Sequence, residues 1–311
     1  MAKAQRKVII SAAITGAIHV PSMSPYLPAT AEQIIENAVG AAEAGAAVVH
    51  IHARTYDGQP TADHTILGGI LSGIKARSNV VIGITTGGGM TMTTEERFAV
   101  ISKFKPEMAS VNCGSINFCL SPLADTLETP LHEWEVPYLL NTYDHVFKNT
   151  FKDMEYCIKT AQECGTFPEY EVFDYGQLNN LLFFMNNGLL KKPIYLQFVP
   201  GVNGGMPISM EGMMFVIDQA KKILGKDVMY CSVAPGRRMF RLATFMALNG
   251  GNVRVGLEDG LHLNPQGQLA VDNAAMVRKM KEILTMLDYE IADPNDAREQ
   301  LGLKGLDKVA F

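Results

Sequence analysis

The chain has 311 residues, of which 47% are hydrophobic and 19% are charged, as in a globular protein with a large core. This composition excludes a disordered chain, a coiled coil and a miniprotein that depends on disulfides. The formal net charge of −5 argues against a nucleic-acid-binding protein, which normally carries a basic face. No apolar run approaches the roughly 20 residues that cross a bilayer, so we expect no membrane partner.

The amino-terminal region resembles a secretory signal peptide, but its details favour a β-strand. Basic residues at Lys3, Arg6 and Lys7 precede an apolar stretch from Val8 to Val20. The stretch has no leucine and contains several polar residues, so Val8–Ile14 is predicted to be a buried strand. The five cysteines show no C-x-x-C spacing, which is typical of reduced thiols in a cytosolic protein. We therefore predict a cytoplasmic location.

The chain then alternates between strands and amphipathic helices. Thr30 and Gln33 have the spacing of a capping box, which predicts that a helix begins at Thr30. Gly45 is expected to end this helix after Ala44. The next segment, Ala47–His52, is mostly apolar on both faces, as in a parallel strand that helices cover.

The same alternation continues towards the carboxyl terminus. After the first two strands, further strands are predicted at Val80–Thr85, Met108–Asn112, Tyr170–Phe173, Ile194–Val199, Val228–Val233 and Val253–Leu257. The later helices are predicted at Thr65–Ala76, Thr93–Phe104, Phe151–Glu163, Gly176–Asn186, Ser209–Leu224, Arg238–Leu248 and Asn273–Leu287. This strand count predicts an α/β fold, a single (β/α)8 TIM barrel that forms one domain over residues 1–311. The irregular segment between Ile116 and Val146 is expected to extend over the carboxyl-terminal mouth of the barrel.

Two histidines end the second predicted strand, and their spacing indicates a metal site. Active sites of such barrels lie at the carboxyl-terminal ends of the strands. His50 and His52 are two residues apart, so both side chains point to the same face and can share one ion. Zinc accepts imidazole nitrogens at about 2.0–2.1 Å each. The alternative is that each histidine is buried and simply hydrogen-bonds a neighbour.

A third metal ligand and a free carboxylate follow the last predicted strand. Barrel closure places this strand beside the first, so its exit loop lies within reach of the second strand. Glu258 can therefore complete a set of two histidines and one carboxylate, which leaves positions open for substrate oxygens. Asp259 is then a free carboxylate near the metal, and Arg254 can keep it ionised and oriented. The alternative is a salt bridge that only closes the barrel.

The other strand ends carry polar residues that can approach a ligand. They are Ser110 and Asn112 on the fourth strand, Glu169 and Glu171 on the fifth, and Arg237 and Arg238 after the seventh. The two arginines stand at a helix start, where they can contact phosphates or remain a solvated charge pair. A glycine-rich turn, Thr85 to Gly89, permits close approach of the backbone to a ligand but is not a Walker phosphate loop.

Segments along nearly the whole chain carry a resemblance to a known family. They are Ala13–Ala17, Val49–Arg54, Thr86–Gly88, Lys105–Ala109, Pro168–Val172, Leu196–Phe198 and Arg254–Asp259. In this order and spacing they resemble the zinc-dependent β-keto acid cleavage enzymes, whose founding activity is 3-keto-5-aminohexanoate cleavage. The resemblance implies a TIM barrel, in agreement with the strand count.

The resemblance also implies a role for each residue of the predicted metal site. His50, His52 and Glu258 correspond to the zinc ligands of the family. Asp259 corresponds to the catalytic base, and Arg254 to the residue that orients this base. Each of these residues lies in a motif that this chain shares with the family.

The family's substrate contacts are only partly retained. Thr85 stands where the founding enzyme has a serine that contacts substrate and base, and Ser110 stands where it has a threonine. Glu171 matches a carboxylate on the fifth strand, and with Ser110 and Asn112 it is expected to bind substrate. Ile18 occupies the position at which the founding enzyme has a glutamate that pairs with the substrate's ammonium group. A buried ammonium without a carboxylate is strongly disfavoured, so the resemblance predicts an uncharged substrate tail.

The implied reaction converts a short β-keto acid and acetyl-CoA into acetoacetate and a new acyl-CoA. One zinc ion per chain is expected to make the C2 protons of the keto acid acidic, although nickel or cobalt suit the same ligands. The resemblance also implies a homo-oligomer, specifically a homotetramer. Two alternatives are a zinc-dependent hydrolase of a small carboxylated metabolite and a non-catalytic metabolite-binding barrel.

Overall fold

Parallel strands form a nearly closed barrel. The computed structural model describes residues 6–87 and 92–311. In this part of the chain, strands β1 to β8 are Ile10–Ala13, Val48–Ile51, Val81–Ile84, Met108–Asn112, Phe167–Val172, Tyr195–Phe198, Met229–Ser232 and Val253–Val255. Neighbours in the chain are neighbours in the sheet, and β1 pairs with both β2 and β8. Between β7 and β8, the N–H of Asn252 donates to the carbonyl oxygen of Tyr230 at 2.8 Å. The predicted barrel fold is therefore confirmed.

Helices between the strands cover the outside of the barrel. Helices α1 to α10 are Ala31–Ala44, His64–Lys75, Thr94–Phe104, Glu135–Leu140, Phe151–Glu163, Gly176–Asn186, Met210–Leu224, Met239–Leu248, Asn273–Met286 and Pro294–Leu301. Every helix that the sequence predicts is present, with bounds that differ by at most one residue. The capping box of α1 forms as predicted, because the hydroxyl of Thr30 accepts from the N–H of Gln33 and the Gln33 side chain accepts in return.

Helices α4 and α10 were not predicted from the sequence. Helix α4 belongs to the segment between Ile116 and Val146, which covers the barrel mouth as predicted. Helix α10 follows Asp293, whose carboxylate accepts from the first N–H groups of the helix. Ala297 and Leu301 of α10 pack in a buried cluster with residues at the amino-terminal ends of the strands. This helix therefore covers the end of the barrel that is opposite the mouth.

Most strand bounds differ from the prediction by one to three residues, and two of these differences have identifiable reasons. Strand β5 begins at Phe167 rather than at Tyr170, because Pro168 is accommodated in the strand near its start. Strand β8 ends at Val255 rather than at Leu257, because Gly256 has a φ of +148°. A Cβ atom on Gly256 would lie 2.0 Å from the carbonyl oxygen of Ala13, so the chain turns at the one residue type that fits.

None of the helices in the described ranges combines the length and the apolar character that a membrane span requires.

The core lies between the barrel and its helices. Ile10 and Ala12 of β1 belong to the same buried cluster as Ile34 of α1 and Met280 of α9. Ser11, the residue between Ile10 and Ala12, consequently faces the inside of the barrel. The inward face thus remains available for polar side chains.

An ion pair at the amino-terminal end of the barrel holds α10. Nε and Nη2 of Arg298 donate to the two carboxylate oxygens of Glu107 at 2.8 and 2.9 Å, and Glu107 is fully buried. We expect Arg298→Ala to lower the free energy of unfolding by about 3–5 kcal/mol, because it leaves a buried carboxylate without a cation. Urea unfolding measures this loss. Arg77→Ala breaks an exposed pair with Glu36 and should leave the midpoint nearly unchanged. Equal shifts in the two variants would contradict this role.

Candidate metal centre and active site

One cavity opens at the carboxyl-terminal mouth of the barrel, and we call it the central cavity. It has a volume of about 900 Å³ including its mouth. Its floor is polar and includes His52, Thr85, Asn112, Arg254, Glu258 and Asp259. Its upper wall is largely apolar and includes Ile18, Phe118, Leu120, Phe147, Phe173 and Val202. The cavity can therefore hold a small molecule with its charged end at the floor.

His50 and His52 at the end of β2 extend towards Glu258, which follows β8. Their Nε2 atoms lie 3.7 and 3.5 Å from Oε1 of Glu258, and one ligand atom from each of the three residues lies within 4.8 Å of the others. Ligand atoms at about 2.0–2.1 Å from a tetrahedral zinc ion are roughly 3.3–3.5 Å apart. The other carboxylate oxygen of Glu258, Oε2, is buried and has no hydrogen-bond partner among the described residues. These residues therefore fit a divalent metal ion.

The protonation states of these residues also suit a metal ion. Burial lowers the pKa of His50 to about 3, so its imidazole is neutral and can offer a lone pair. Burial opposes the ionisation of Glu258, but the Arg254 guanidinium holds the pKa of this carboxyl well below its usual range. His50 therefore offers a neutral nitrogen donor and Glu258 a charged oxygen donor, which are the forms that bind metal.

A glycine in the loop after β1 leaves the space that Glu258 occupies. Gly16 has a φ of +60°, and a Cβ atom there would lie 2.3 Å from Cγ of Glu258. The N–H of Glu258 donates to the carbonyl oxygen of Ala13 at 3.1 Å, which fixes the backbone of the carboxylate to β1. With the turn at Gly256, these contacts direct Glu258 towards the two histidines.

Arg254 of β8 binds two carboxylates that are adjacent in the chain. Its Nε and Nη2 donate to the two oxygens of Asp259 at 2.9 Å each, and Nη2 also donates to Oε1 of Glu258 at 2.7 Å. All three residues are buried. Burial opposes the charge on Arg254, but the two carboxylates hold the pKa of its guanidinium well above the usual value. Glu258 thus lies beside His50 and His52, and both carboxylates line the central cavity.

Gln197 of β6 lies within the Leu196–Phe198 motif and joins the site, although no role was predicted for it. Its Oε1 accepts from Nη1 of Arg254 at 3.0 Å, and its Nε2 donates to Oε1 of Glu171 at 3.0 Å. The side chain is fully buried. A polar residue within an otherwise apolar strand was the available signal. Gln197 connects the Arg254 cluster to the carboxyl group on β5.

The predicted substrate-contacting residues occupy different positions. Thr85, Asn112 and Glu171 line the central cavity. Both side-chain polar atoms of Asn112 are buried without a partner among the described residues, whereas the hydroxyl of Thr85 accepts from Gly87 at 2.9 Å. Burial raises the pKa of Glu171 to about 8, with further repulsion from neighbouring carboxylates. Asn112 is thus the side chain with the greatest unused capacity for hydrogen bonding.

One predicted substrate contact does not line the cavity. Ser110 is buried, and its hydroxyl accepts from the N–H of Thr86 at 3.2 Å instead of facing the cavity. The structure therefore places Asn112, but not Ser110, on the cavity surface. Gly88 and Gly89 of the predicted glycine-rich turn lie outside the described residues.

Ile18 lines the cavity on a loop that two other residues hold in place. The guanidinium of the buried Arg54 donates to the carbonyl oxygens of Thr15, Gly16 and His19 at 2.8–2.9 Å. The hydroxyl of Tyr138 from α4 donates to the carbonyl oxygen of Ala17 at 2.8 Å. Ile18 therefore presents a fixed apolar surface to whatever occupies the cavity.

The barrel and the arrangement at its mouth define the class as TIM-barrel enzymes with a potential divalent-metal site. A family model described as beta-keto acid cleavage enzyme matches residues 7–303. The chain therefore belongs to the β-keto acid cleavage enzyme family, as its motifs indicated.

Individual relatives agree with this assignment. A 3,5-dioxohexanoate:acetyl-CoA acetone transferase from Paraburkholderia graminis is 44% identical over 308 residues, which cover 99% of both chains. A 3-keto-5-aminohexanoate cleavage enzyme from Acetoanaerobium sticklandii is 32% identical over 298 residues, 96% of this chain and 98% of that one. The solved apo structure of ObcA is similar in fold, with a TM-score of 0.73 and 20% identity over 90% of this chain and 66% of that one.

The metal site can be tested by elemental analysis of protein purified without chelator. We expect about one equivalent of divalent metal per chain in the wild type and almost none in His50→Ala or Glu258→Gln, because each variant loses one of three donors. His64→Ala, which removes a histidine from α2 outside the cavity, should keep its metal. Metal-free wild-type protein, or equal metal content in all the variants, would contradict the assignment.

Proposed function

We propose that this protein cleaves a short β-keto acid with an uncharged tail, using acetyl-CoA as the acyl donor and zinc as its native metal. The products are acetoacetate and the acyl-CoA of the tail. We also propose a single-domain chain that forms a homotetramer in the cytoplasm. Family membership supports the reaction class, and the family resemblance is the basis for the homotetramer. The metal is proposed from the site, and the cytoplasmic location from the free cysteines.

The observation that carries the proposal is the double contact of Arg254. Glu258 lies beside the two imidazoles, and Asp259 faces the cavity while the same guanidinium holds it. A divalent ion bound by His50, His52 and Glu258 would supply the Lewis acidity that makes the C2 protons of a β-keto acid removable. A base is of use only where a proton is transferred, so this arrangement favours an enzyme over a binding protein.

Asp259 is the residue proposed to move the proton. It removes a proton from C2 of the keto acid, and the resulting carbanion forms a bond to the acetyl carbon as the CoA thiolate leaves. The thiolate then attacks the original keto carbon, the bond between C2 and C3 breaks, and C2 regains a proton. Arg254 keeps the carboxylate of Asp259 oriented throughout, since it binds both oxygens. In the net reaction, the acetyl group replaces the original acyl group on C2, and the original acyl group leaves as its CoA thioester.

The cavity wall supports an uncharged tail. Among the described lining residues, the charged side chains lie at the floor and on β5, and the wall around Ile18 is apolar. Among the described lining residues, Glu171 is the carboxyl away from the Arg254 cluster that an ammonium group in the tail could pair with, and burial raises the pKa of that carboxyl to about 8. The tail of 3,5-dioxohexanoate, the compound named for the 44% identical relative, is uncharged. This compound is therefore the first to assay.

A zinc-dependent hydrolase remains the alternative for the same donor set, but no particular contact in the cavity favours it. The two readings differ in their need for acetyl-CoA. Turnover of a β-keto acid without acetyl-CoA would favour the hydrolase, while formation of a new thioester only in its presence favours the proposed reaction.

Asp259→Asn tests the proposed base. The amide keeps the shape of the side chain but cannot accept the C2 proton, so we expect kcat to fall by roughly 10²–10⁴-fold. Steady-state kinetics with saturating keto acid and acetyl-CoA measure the loss, and metal content should stay at the wild-type level. Wild-type turnover in the variant would show that another group is the base.

Ile18→Glu tests the proposed tail specificity. Wild type should prefer a plain short β-keto acid over its 5-amino analogue, because an apolar contact is worth about 1–3 kcal/mol and a buried ammonium lacks a partner. The glutamate supplies that partner, so the ratio of the two kcat/KM values should narrow or reverse. Ile18→Leu is the matched control, in which the preference should persist. A wild-type preference for the amino compound would contradict the proposed tail.

A further inference from the structure

Acetyl-CoA must reach the site while the keto acid occupies it, and a second depression at the same end of the barrel offers a route. We call it the outer groove; it is lined by residues that include His19, Met23, Leu123, Thr129, Leu261 and His262. Its volume is about 1090 Å³ including its open side. The loop after β1 borders both spaces, because Ala17 and Ile18 line the central cavity and the next residue, His19, lines the groove with Met23.

The inner end of the outer groove adjoins the proposed catalytic residues. Nδ1 of His19 donates to the carbonyl oxygen of Leu257 at 2.9 Å, directly before Glu258 in the chain. Gly236, another residue of the groove, donates its N–H to the carbonyl oxygen of Asp259 at 2.8 Å. The groove therefore ends against the backbone of the segment that carries Glu258 and Asp259, and an arm that crosses the loop at Ile18 and His19 would bring its thioester to their side chains in the central cavity.

The chemistry of the groove matches a pantetheine arm. Because Nδ1 of His19 carries the proton, Nε2 is left as an acceptor that suits an amide N–H. Met23, Leu123 and Leu261 offer apolar contacts to the methyl and methylene groups of the arm. The groove has an open side, so the nucleotide end of CoA can extend into solvent.

A cation stands at the rim of the groove. Arg237 follows Gly236 directly and is exposed, and Nη1 donates to the carbonyl oxygen of Pro265 at 3.3 Å. Burial lowers the pKa of His262, a groove residue, and the nearby positive charge of Arg237 lowers it further. Across the described residues, no carboxylate forms an ion pair with Arg237. Its guanidinium is thus available for a phosphate.

We propose that the outer groove binds the pantetheine arm of acetyl-CoA and that Arg237 contacts one of its phosphates, while the central cavity binds the keto acid. The inference rests on the proposed function, which requires acetyl-CoA. Glu128 also lines the groove, and its carboxylate opposes a phosphate. Removing the charge of Arg237 should therefore weaken the binding of acetyl-CoA, whereas removing the charge of Glu128 should strengthen it.

Kinetics of the metal-loaded enzyme with two acyl donors test the proposal. Arg237→Gln should raise KM for acetyl-CoA by roughly tenfold or more and leave KM for the keto acid unchanged, because only CoA loses a charged hydrogen bond. The effect should vanish with acetylpantetheine, which has no phosphate. Glu128→Gln should lower KM for acetyl-CoA. Lys191→Gln removes the same charge as Arg237→Gln, before β6 at the opposite end of the barrel, and should change neither value.

Thr129→Trp tests the groove without changing its charge. The indole would fill part of the groove, so KM should rise for acetyl-CoA and for acetylpantetheine alike. Calorimetric binding of CoA to the same proteins gives a readout that does not depend on turnover. Wild-type KM and CoA affinity in both Arg237→Gln and Thr129→Trp, with turnover intact, would overturn the groove assignment and leave the proposed function standing. A metal-loaded wild type that neither binds CoA nor turns over would overturn both.

Discussion

The guanidinium of Arg254 lies between two carboxylates that are adjacent in the chain, and the organisation of the site depends on this contact. Glu258 and Asp259 are both buried, and two buried carboxylates so close together repel each other strongly. Arg254 compensates both, with three hydrogen bonds of 2.7–2.9 Å. The chain turns at Gly256, and Glu258 then lies beside His50 and His52 while both carboxylates line the cavity. The guanidinium of Arg254 thus holds both the proposed metal ligand, Glu258, and the proposed base, Asp259.

Polar and apolar side chains occupy different levels of the barrel mouth. Polar and charged groups lie at the strand ends, and apolar side chains from the segment over the mouth lie above them. Tyr138 and Arg54 hold the loop that carries Ile18, and they do so through backbone carbonyls rather than through charge pairs. The residue at position 18 can therefore change without loss of the loop's supports. Under the proposed function, a change at position 18 would alter the preference for the substrate tail and leave the candidate metal donors in place.

Much of the fold and the metal site follows from local patterns in the sequence. The two-residue period of a strand aligns His50 with His52, and barrel closure brings Glu258 to them. Contacts that depend on tertiary packing were not predictable, such as that of Tyr138 from the irregular segment. Ser110 was predicted as a substrate contact from its place at a strand end, yet its hydroxyl bonds the backbone of Thr86. Helix α10 was missed although Asp293 and the proline after it signal a helix start.

The transfer of a labelled acetyl group tests the central claim most directly. Metal-loaded wild-type enzyme would be incubated with an unlabelled short β-keto acid and acetyl-CoA that carries ¹³C in its acetyl group, and the products followed by NMR and mass spectrometry. The account predicts label in C3 and C4 of acetoacetate and an unlabelled acyl-CoA that contains the tail of the keto acid. Label recovered as acetate, or retained in the thioester while the keto acid is hydrolysed, would contradict it.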